Sequence, residues 1–177
     1  QYQALVAQTS CESCEAGQYQ GSDGQSFCHT CQAGSITNTG AGAGAVGCTK
    51  CVAGQYSEVS TLSECSVCAE GSITNTGNRS GASACTACGV GQYSTSSASA
   101  SGCSTCVGGQ YQALVAQTSC ESCEAGQYQG SDGQSFCHTC QAGSITNTGA
   151  EAGAVRCTKC VAGQYSEESA LSACIAC

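Results

Sequence analysis

No proline, tryptophan or methionine occurs in these 177 residues, and phenylalanine occurs only as Phe27 and Phe136. Leucine, isoleucine and valine are sparse as well. A chain with so few large apolar groups cannot build an ordinary hydrophobic core, and by those groups alone it sits near the disordered class. Positive charge is also scarce: Lys50, Arg79, Arg156 and Lys159 face twelve acidic residues, for a net charge of −8. Such a surface repels polyanions, so nucleic acid and anionic lipid are excluded as partners. No apolar run is long enough to span a membrane, and there is no lipidation motif or signal peptide. The segment is therefore expected to be mature or partial. No phosphate loop, catalytic triad or dinucleotide motif is present. We expect no enzyme activity and no cofactor.

Against these absences stand 20 cysteines and 24 glycines. Covalent bonds replace a missing core in small domains exposed to oxidising surroundings. An extracellular or cell-surface location follows, with a chain that unfolds on reduction. Every cysteine belongs to a Cys-x-x-Cys pair, and the pairs begin at residues 11, 28, 48, 65, 85, 103, 120, 137, 157 and 174. Residues 1–68 recur at 110–177 with seven differences: Gly42/Glu151, Gly47/Arg156, Val59/Glu168, Thr61/Ala170, Glu64/Ala173, Ser66/Ile175 and Val67/Ala176. Several of these change charge, so the positions are expected to be solvated. The organisation expected is six short modules forming one long repeat, 1–109, then a partial second copy, 110–177, with the array continuing beyond one or both ends.

Each module has one plan. A glycine stands three residues after the second cysteine, and two residues later comes a large side chain. That residue is Tyr19, Ile36, Tyr56, Ile73, Tyr93, Tyr111, Tyr128, Ile145 or Tyr165, and Tyr2 fits the same slot. We expect it to be the packing group of its module, laid against the neighbouring disulfide. Between these anchors Asp23-Gly24 predicts a two-residue hairpin turn. Residues 35–40 read as a Ser-Ile-Thr strand followed by an Asn-Thr-Gly turn. No helical apolar period is present. The fold class expected is small, disulfide-rich and irregular β: an elongated tandem array of short β-finger modules with little or no helix.

Two disulfide frameworks fit the spacing. In a ladder, the second cysteine of each pair bonds the first of the next: Cys14–Cys28, Cys31–Cys48, Cys51–Cys65, Cys68–Cys85, Cys88–Cys103, Cys106–Cys120, Cys123–Cys137, Cys140–Cys157 and Cys160–Cys174. Cys11 and Cys177 then need partners outside the segment. An interlocked pattern, Cys11–Cys28 with Cys14–Cys31 and onward, leaves no cysteine over. Sequence alone leaves both open, and the ladder is preferred because one rule serves every module. Four-thiolate zinc sites also fit the spacing, but the acidic surface and the unbroken series of pairs count against them. Thioredoxin-like chemistry needs one activated thiol on a βαβ scaffold, and ten equivalent pairs without a helix do not supply it.

The stretch Cys-Thr-Lys-Cys-Val-Ala-Gly-Gln-Tyr-Ser at 48–57 resembles the ephrin-receptor-like cysteine-rich repeat. That family is similar to the modules of tumour necrosis factor receptors and of protist cysteine-rich surface proteins. The resemblance covers the whole chain and implies extracellular, elongated, disulfide-linked modules in receptors, coats and stalks. The chain departs from the family in lacking a proline after the second cysteine, where Glu15, Gln32, Val52, Ala69, Gly89 and Val107 stand.

Other residues carry smaller signals. Asn78-Arg79-Ser80 is an N-glycosylation sequon. Thr37 and Thr39, and the serine-rich stretch 94–101, are candidates for O-glycans. His29 and His138 are one position in two copies, read as an ordinary loop histidine. Glu12 and Glu15 lack a calcium-loop pattern and read as solvated charge. Near-identical tandem copies favour a structural subunit of an extracellular fibre, appendage, stalk or surface coat. Its partners would be further copies of itself, head-to-tail or lateral, and covalent glycans. The alternative is a receptor or adhesin segment that binds a protein or glycan.

Overall fold

In a computed structural model the described residues are 1–4, 10–59, 64–95, 102–167 and 173–177. Among them there is no helix, and the regular structure consists of two- and three-residue strands paired antiparallel. Two compact units divide the described chain, Gln1–Thr86 and Ala87–Thr95 with Cys103–Cys177. In the first unit Gln18–Tyr19 pairs with His29–Thr30, Ser35–Thr37 with Cys48–Lys50, Gln55–Tyr56 with Ser66–Val67, and Ser72–Thr74 with Cys85–Ala87. In the second, Gln92–Tyr93 pairs with Ser104–Thr105, Gln110–Tyr111 with Glu121–Ser122, Gln127–Tyr128 with His138–Thr139, Ser144–Thr146 with Cys157–Lys159, and Gln164–Tyr165 with Ile175–Ala176. The strand pairs of residues 18–67 thus recur 109 residues later, at 127–176.

Each pair closes a finger that runs from the second cysteine of one Cys-x-x-Cys to the first of the next. Disulfides join Cys14–Cys28, Cys31–Cys48, Cys51–Cys65, Cys68–Cys85, Cys88–Cys103, Cys106–Cys120, Cys123–Cys137, Cys140–Cys157 and Cys160–Cys174. Cys11 and Cys177 are free, exposed thiols. The buried apolar set is small: the second cysteine of eight pairs, with Ala45, Ala82 and Ala154.

A polar residue shares that interior. The residue directly after the anchor Tyr or Ile of each bridged finger is buried: Gln20, Thr37, Ser57, Thr74, Ser94, Gln112, Gln129, Thr146 and Ser166. Its identity goes with the loop that follows. Glutamine opens the 14–28, 106–120 and 123–137 fingers, where its amide donates seven residues ahead (Gln20 to Phe27 O at 2.9 Å, Gln112 to Ser119 O and Gln129 to Phe136 O at 2.8 Å). Its side-chain oxygen accepts the N–H two residues on, at Ser22, Leu114 and Ser131. Threonine opens the 31–48, 68–85 and 140–157 fingers, the three whose cysteines are 17 apart, and its hydroxyl donates three residues ahead to Gly40, Gly77 and Gly149. Serine opens the remaining three. Among the described residues every buried side-chain polar atom has a partner, as a small interior requires. Replacing Gln129 by leucine removes two of these bonds at once. We expect a loss of about 2 kcal/mol, read as faster hydrogen exchange at the Ser131 amide while amides of the 31–48 finger stay unchanged.

Neighbouring fingers are stitched through main chain. The second cysteine's carbonyl accepts from the next finger's loop: Gly44 to Cys14, Gly81 to Cys51, Ala116 to Cys88, Gly133 to Cys106 and Gly153 to Cys123, at 2.7–2.9 Å. Ala116 holds φ 58, the one non-glycine residue with positive φ among those described, and it stands where the other four loops carry glycine.

One expectation needs amending. Asp23-Gly24 forms a turn, with Gly24 at φ +71, but the flanking strands end at Tyr19 and restart at His29. The Gln20 bonds and the Cys14–Cys28 bridge hold a wide loop there in place of a tight hairpin. Fingers also touch beyond their sequence neighbours. Gly34 lies against the Gly81 carbonyl, Gly91 against that of Gly133, and Gly109 against that of Gly153, each two fingers on.

Candidate functional site

The residue opposite each Tyr across its strand pair differs from finger to finger. Tyr19 faces His29, Tyr128 faces His138, Tyr111 faces Glu121, Tyr56 faces Ser66, Tyr93 faces Ser104 and Tyr165 faces Ile175. Directly opposed residues present their side chains on the same face. A constant tyrosine beside a variable partner is therefore the main source of surface chemistry. The rings are half-buried, with Tyr165 exposed, and Ile36, Ile73 and Ile145 are half-buried in the same slot.

In the histidine fingers each histidine makes two ring contacts. His29 lies between two rings, with centroids 5.6 Å from Tyr19 and 4.7 Å from Phe27, the latter edge-to-face. The arrangement repeats at Tyr128, His138 and Phe136, at 5.6 and 4.9 Å. Beside each ring pair lies an open groove. One, of about 290 Å³, is bordered by Tyr19, His29, Thr30, Gln32 and Ser35. Its counterpart, of about 470 Å³, is bordered by Tyr128, His138, Thr139, Gln141 and Ser144. None of the seven substitutions between the copies falls on these residues.

The acidic fingers differ. A hydrogen bond from the Tyr111 hydroxyl to the Glu121 carboxylate raises the tyrosine pKa, helped by partial desolvation and by the charges of Glu121 and Glu124. Tyr2 is raised chiefly by the Glu12 charge, then by desolvation, with a Glu12 hydrogen bond and Glu15 adding to it. A raised tyrosine favours the neutral folded form. Its contribution is present below the unfolded value, about 10, and is lost as pH rises through the folded value. Glu121→Gln is therefore expected to move Tyr111 ionisation to lower pH, seen as an earlier phenolate absorbance step in a spectrophotometric titration.

Among the described residues no group of three His, Cys, Asp or Glu side chains converges on one point, and eighteen of the 20 cysteines are in disulfides, which offer no thiolate. No described helix is long and apolar enough to cross a membrane.

The glycosylation candidates separate. Thr37 is buried and its hydroxyl bonds Gly40 O at 2.7 Å, which leaves no room for an O-glycan. Thr39 is exposed, with its hydroxyl on Gly42 O at 2.6 Å. Thr37 ends the Ser35–Thr37 strand and Thr39 lies in the turn after it, and each hydroxyl ties down the chain that follows. Asn78 is exposed in a turn. Of the serine-rich stretch 94–101, residues 96–101 lie outside the described set, as do Thr61, Glu168 and Ala170 among the differing positions.

Short antiparallel pairs, each bolted by one disulfide and set in tandem without helix, define a cysteine-rich repeat module. Residues 1–45 and 109–151 match the family described as tyrosine-protein kinase ephrin type A/B receptor-like, so these stretches are ephrin-receptor-like cysteine-rich repeats, an extracellular, receptor-type module. No curated protein matches the chain.

Proposed function

We propose that the chain is a non-catalytic structural segment of an extracellular fibre, appendage, stalk or surface coat. The observation that carries this is the recurrence of the strand pairs and inter-finger bonds of one copy in the next: Gly44 to Cys14 reappears as Gly153 to Cys123, and Gln20 to Ala45 as Gln129 to Ala154. Construction that repeats without change suits a load-carrying array. Further copies of the chain are its partners, head-to-tail or lateral, and the exposed thiols of Cys11 and Cys177 are available to link them. Electron microscopy of oxidised, purified protein tests this. Filaments or bundles that fall to single chains in a Cys11→Ser, Cys177→Ser variant support it, and dispersed monomers at all concentrations overturn it.

The second reading, a receptor or adhesin segment, draws support from the paired Tyr–His grooves. Two equivalent sites on one chain would bind a multivalent protein or glycan with avidity. Binding to immobilised glycans or cell-surface proteins, lost when Tyr19 and Tyr128 are both changed to alanine, would favour it.

A further inference from the structure

We infer that Asn78 carries an N-linked glycan and that the 68–85 finger is the glycan-bearing element of the long repeat. The chain has four asparagines, and the structure gives three of them one task. Asn38, Asn75 and Asn147 follow the buried threonine of their fingers, and each side-chain oxygen accepts an N–H across the loop, from Val46 at 3.1 Å, Ser83 at 3.2 Å and Val155 at 3.0 Å. Asn78 stands three residues beyond Asn75 at the crest of that loop. Its side chain is exposed and makes no hydrogen bond. Arg79 and Ser80, the rest of the sequon, are exposed as well.

The same loop in the other two threonine fingers carries Ala41-Gly42-Ala43 and Ala150-Glu151-Ala152 in place of Asn78-Arg79-Ser80. The loop keeps its form in all three. Thr74 bonds Gly77 O at 2.8 Å and Thr76 bonds Arg79 O at 2.8 Å, and their counterparts in the 31–48 and 140–157 fingers make the same bonds. The crest therefore has no folding need for asparagine, arginine or serine. There is also space: a carbon added at the adjacent Gly77 meets nothing within 4 Å. The close approach of this loop to Gly34 is made through Gly81, beyond the sequon.

The reaction is a glycosyl transfer from a lipid-diphosphate-linked oligosaccharide of the secretory membrane. The Asn78 amide nitrogen attacks C1 of the first sugar and gives its proton to a base of the transferase. The C1–O bond to phosphate breaks, the lipid diphosphate leaves with that electron pair, and the C1–N bond remains, with no change of oxidation state. The inference rests on the extracellular reading only for passage through that membrane.

The test is secretion of the chain from a glycosylating eukaryotic cell, followed by intact-mass measurement and peptide mapping. The expected result is a chain heavier by one oligosaccharide. Peptide N-glycosidase should remove it and leave aspartate at position 78, and it should be absent from Asn78→Ala and Ser80→Ala. Asn78→Ala installs the residue that the other two loops already carry, so the fold is expected to persist. Secreted wild-type chain with the bare polypeptide mass overturns the inference while leaving the extracellular reading intact. Failure of the chain to be secreted at all, with no glycan on the retained material, overturns both.

Discussion

Alanine at Gly91 is expected to open the 88–103 and 123–137 fingers, more severely than alanine at a loop glycine that faces open space. Gly91 holds φ +71, and a methyl there falls on the Gly133 carbonyl oxygen. The backbone cannot step aside, because Gly91 N–H donates to Gln112 O at 2.7 Å and its carbonyl accepts from Cys106 N at 2.9 Å. The left-handed conformation costs about 1–2 kcal/mol for a residue with a side chain, and the forced displacement adds about 1–3 kcal/mol. Gly24 is the control. It has the same φ of +71 but nothing within 4 Å of the added carbon, so its alanine variant loses only the conformational part, about 1 kcal/mol. Gly47 also has open space and no positive φ, and the second copy carries Arg156 there; its variant should be near neutral. Hydrogen exchange at Cys106, Gly109 and Gly133 reads the local opening. Equal protection in the Gly91 and Gly24 variants would refute the second-neighbour contact.

Full reduction and alkylation should abolish the fold. The bridges close loops with sequence separations of 14 to 17, each worth about 3 kcal/mol in the chain-entropy model. The interior they leave behind is cysteine, alanine and single Thr, Ser or Gln side chains, while Phe27, Phe136 and most valines are exposed. That area is too small to offset backbone ordering without cross-links. The alkylated chain is expected to lose its β circular dichroism and to be cleaved rapidly by protease. Persistence of either would mean an apolar core outside the fingers described.

The class of fold was legible because two counts dominate it: cysteine is abundant, and no apolar residue recurs at helical spacing. The short Ser-Ile-Thr strands and the turns after them could also be read directly. The pairing of cysteines could not be decided, since spacing alone fits both a ladder and interlocked fours. What lay out of reach was the interior. Gln20, Thr37 and Ser57 are small or polar and do not read as interior residues, and a search for large apolar anchors stops one position short, at Tyr19, Ile36 and Tyr56. A usable signal was present, in that threonine at this position always precedes the longer gap to the next cysteine. The glycine contacts two fingers apart left no such trace, because a glycine pressed against a carbonyl and a glycine in open space look alike in a Gly-rich loop. The Tyr–His–Phe clusters needed coordinates too. Residues 27 and 29 flank a cysteine, and only the strand register brings residue 29 beside residue 19.

The bridges also determine how the chain answers a pull. Tension entering a finger at its second cysteine crosses directly to the first cysteine of the next pair, whose Cα atoms lie 5.7 Å apart in the 31–48 finger. The loop between them is shunted out of the force path. Only the Cys-x-x-Cys link can be drawn straight, about 11 Å for three residue steps. With the bridge cut, the same stretch pays out about 60 Å or more at full extension. While oxidised, the array is thus nearly inextensible even if its hydrogen bonds tear, and its slack is released only by a reductant.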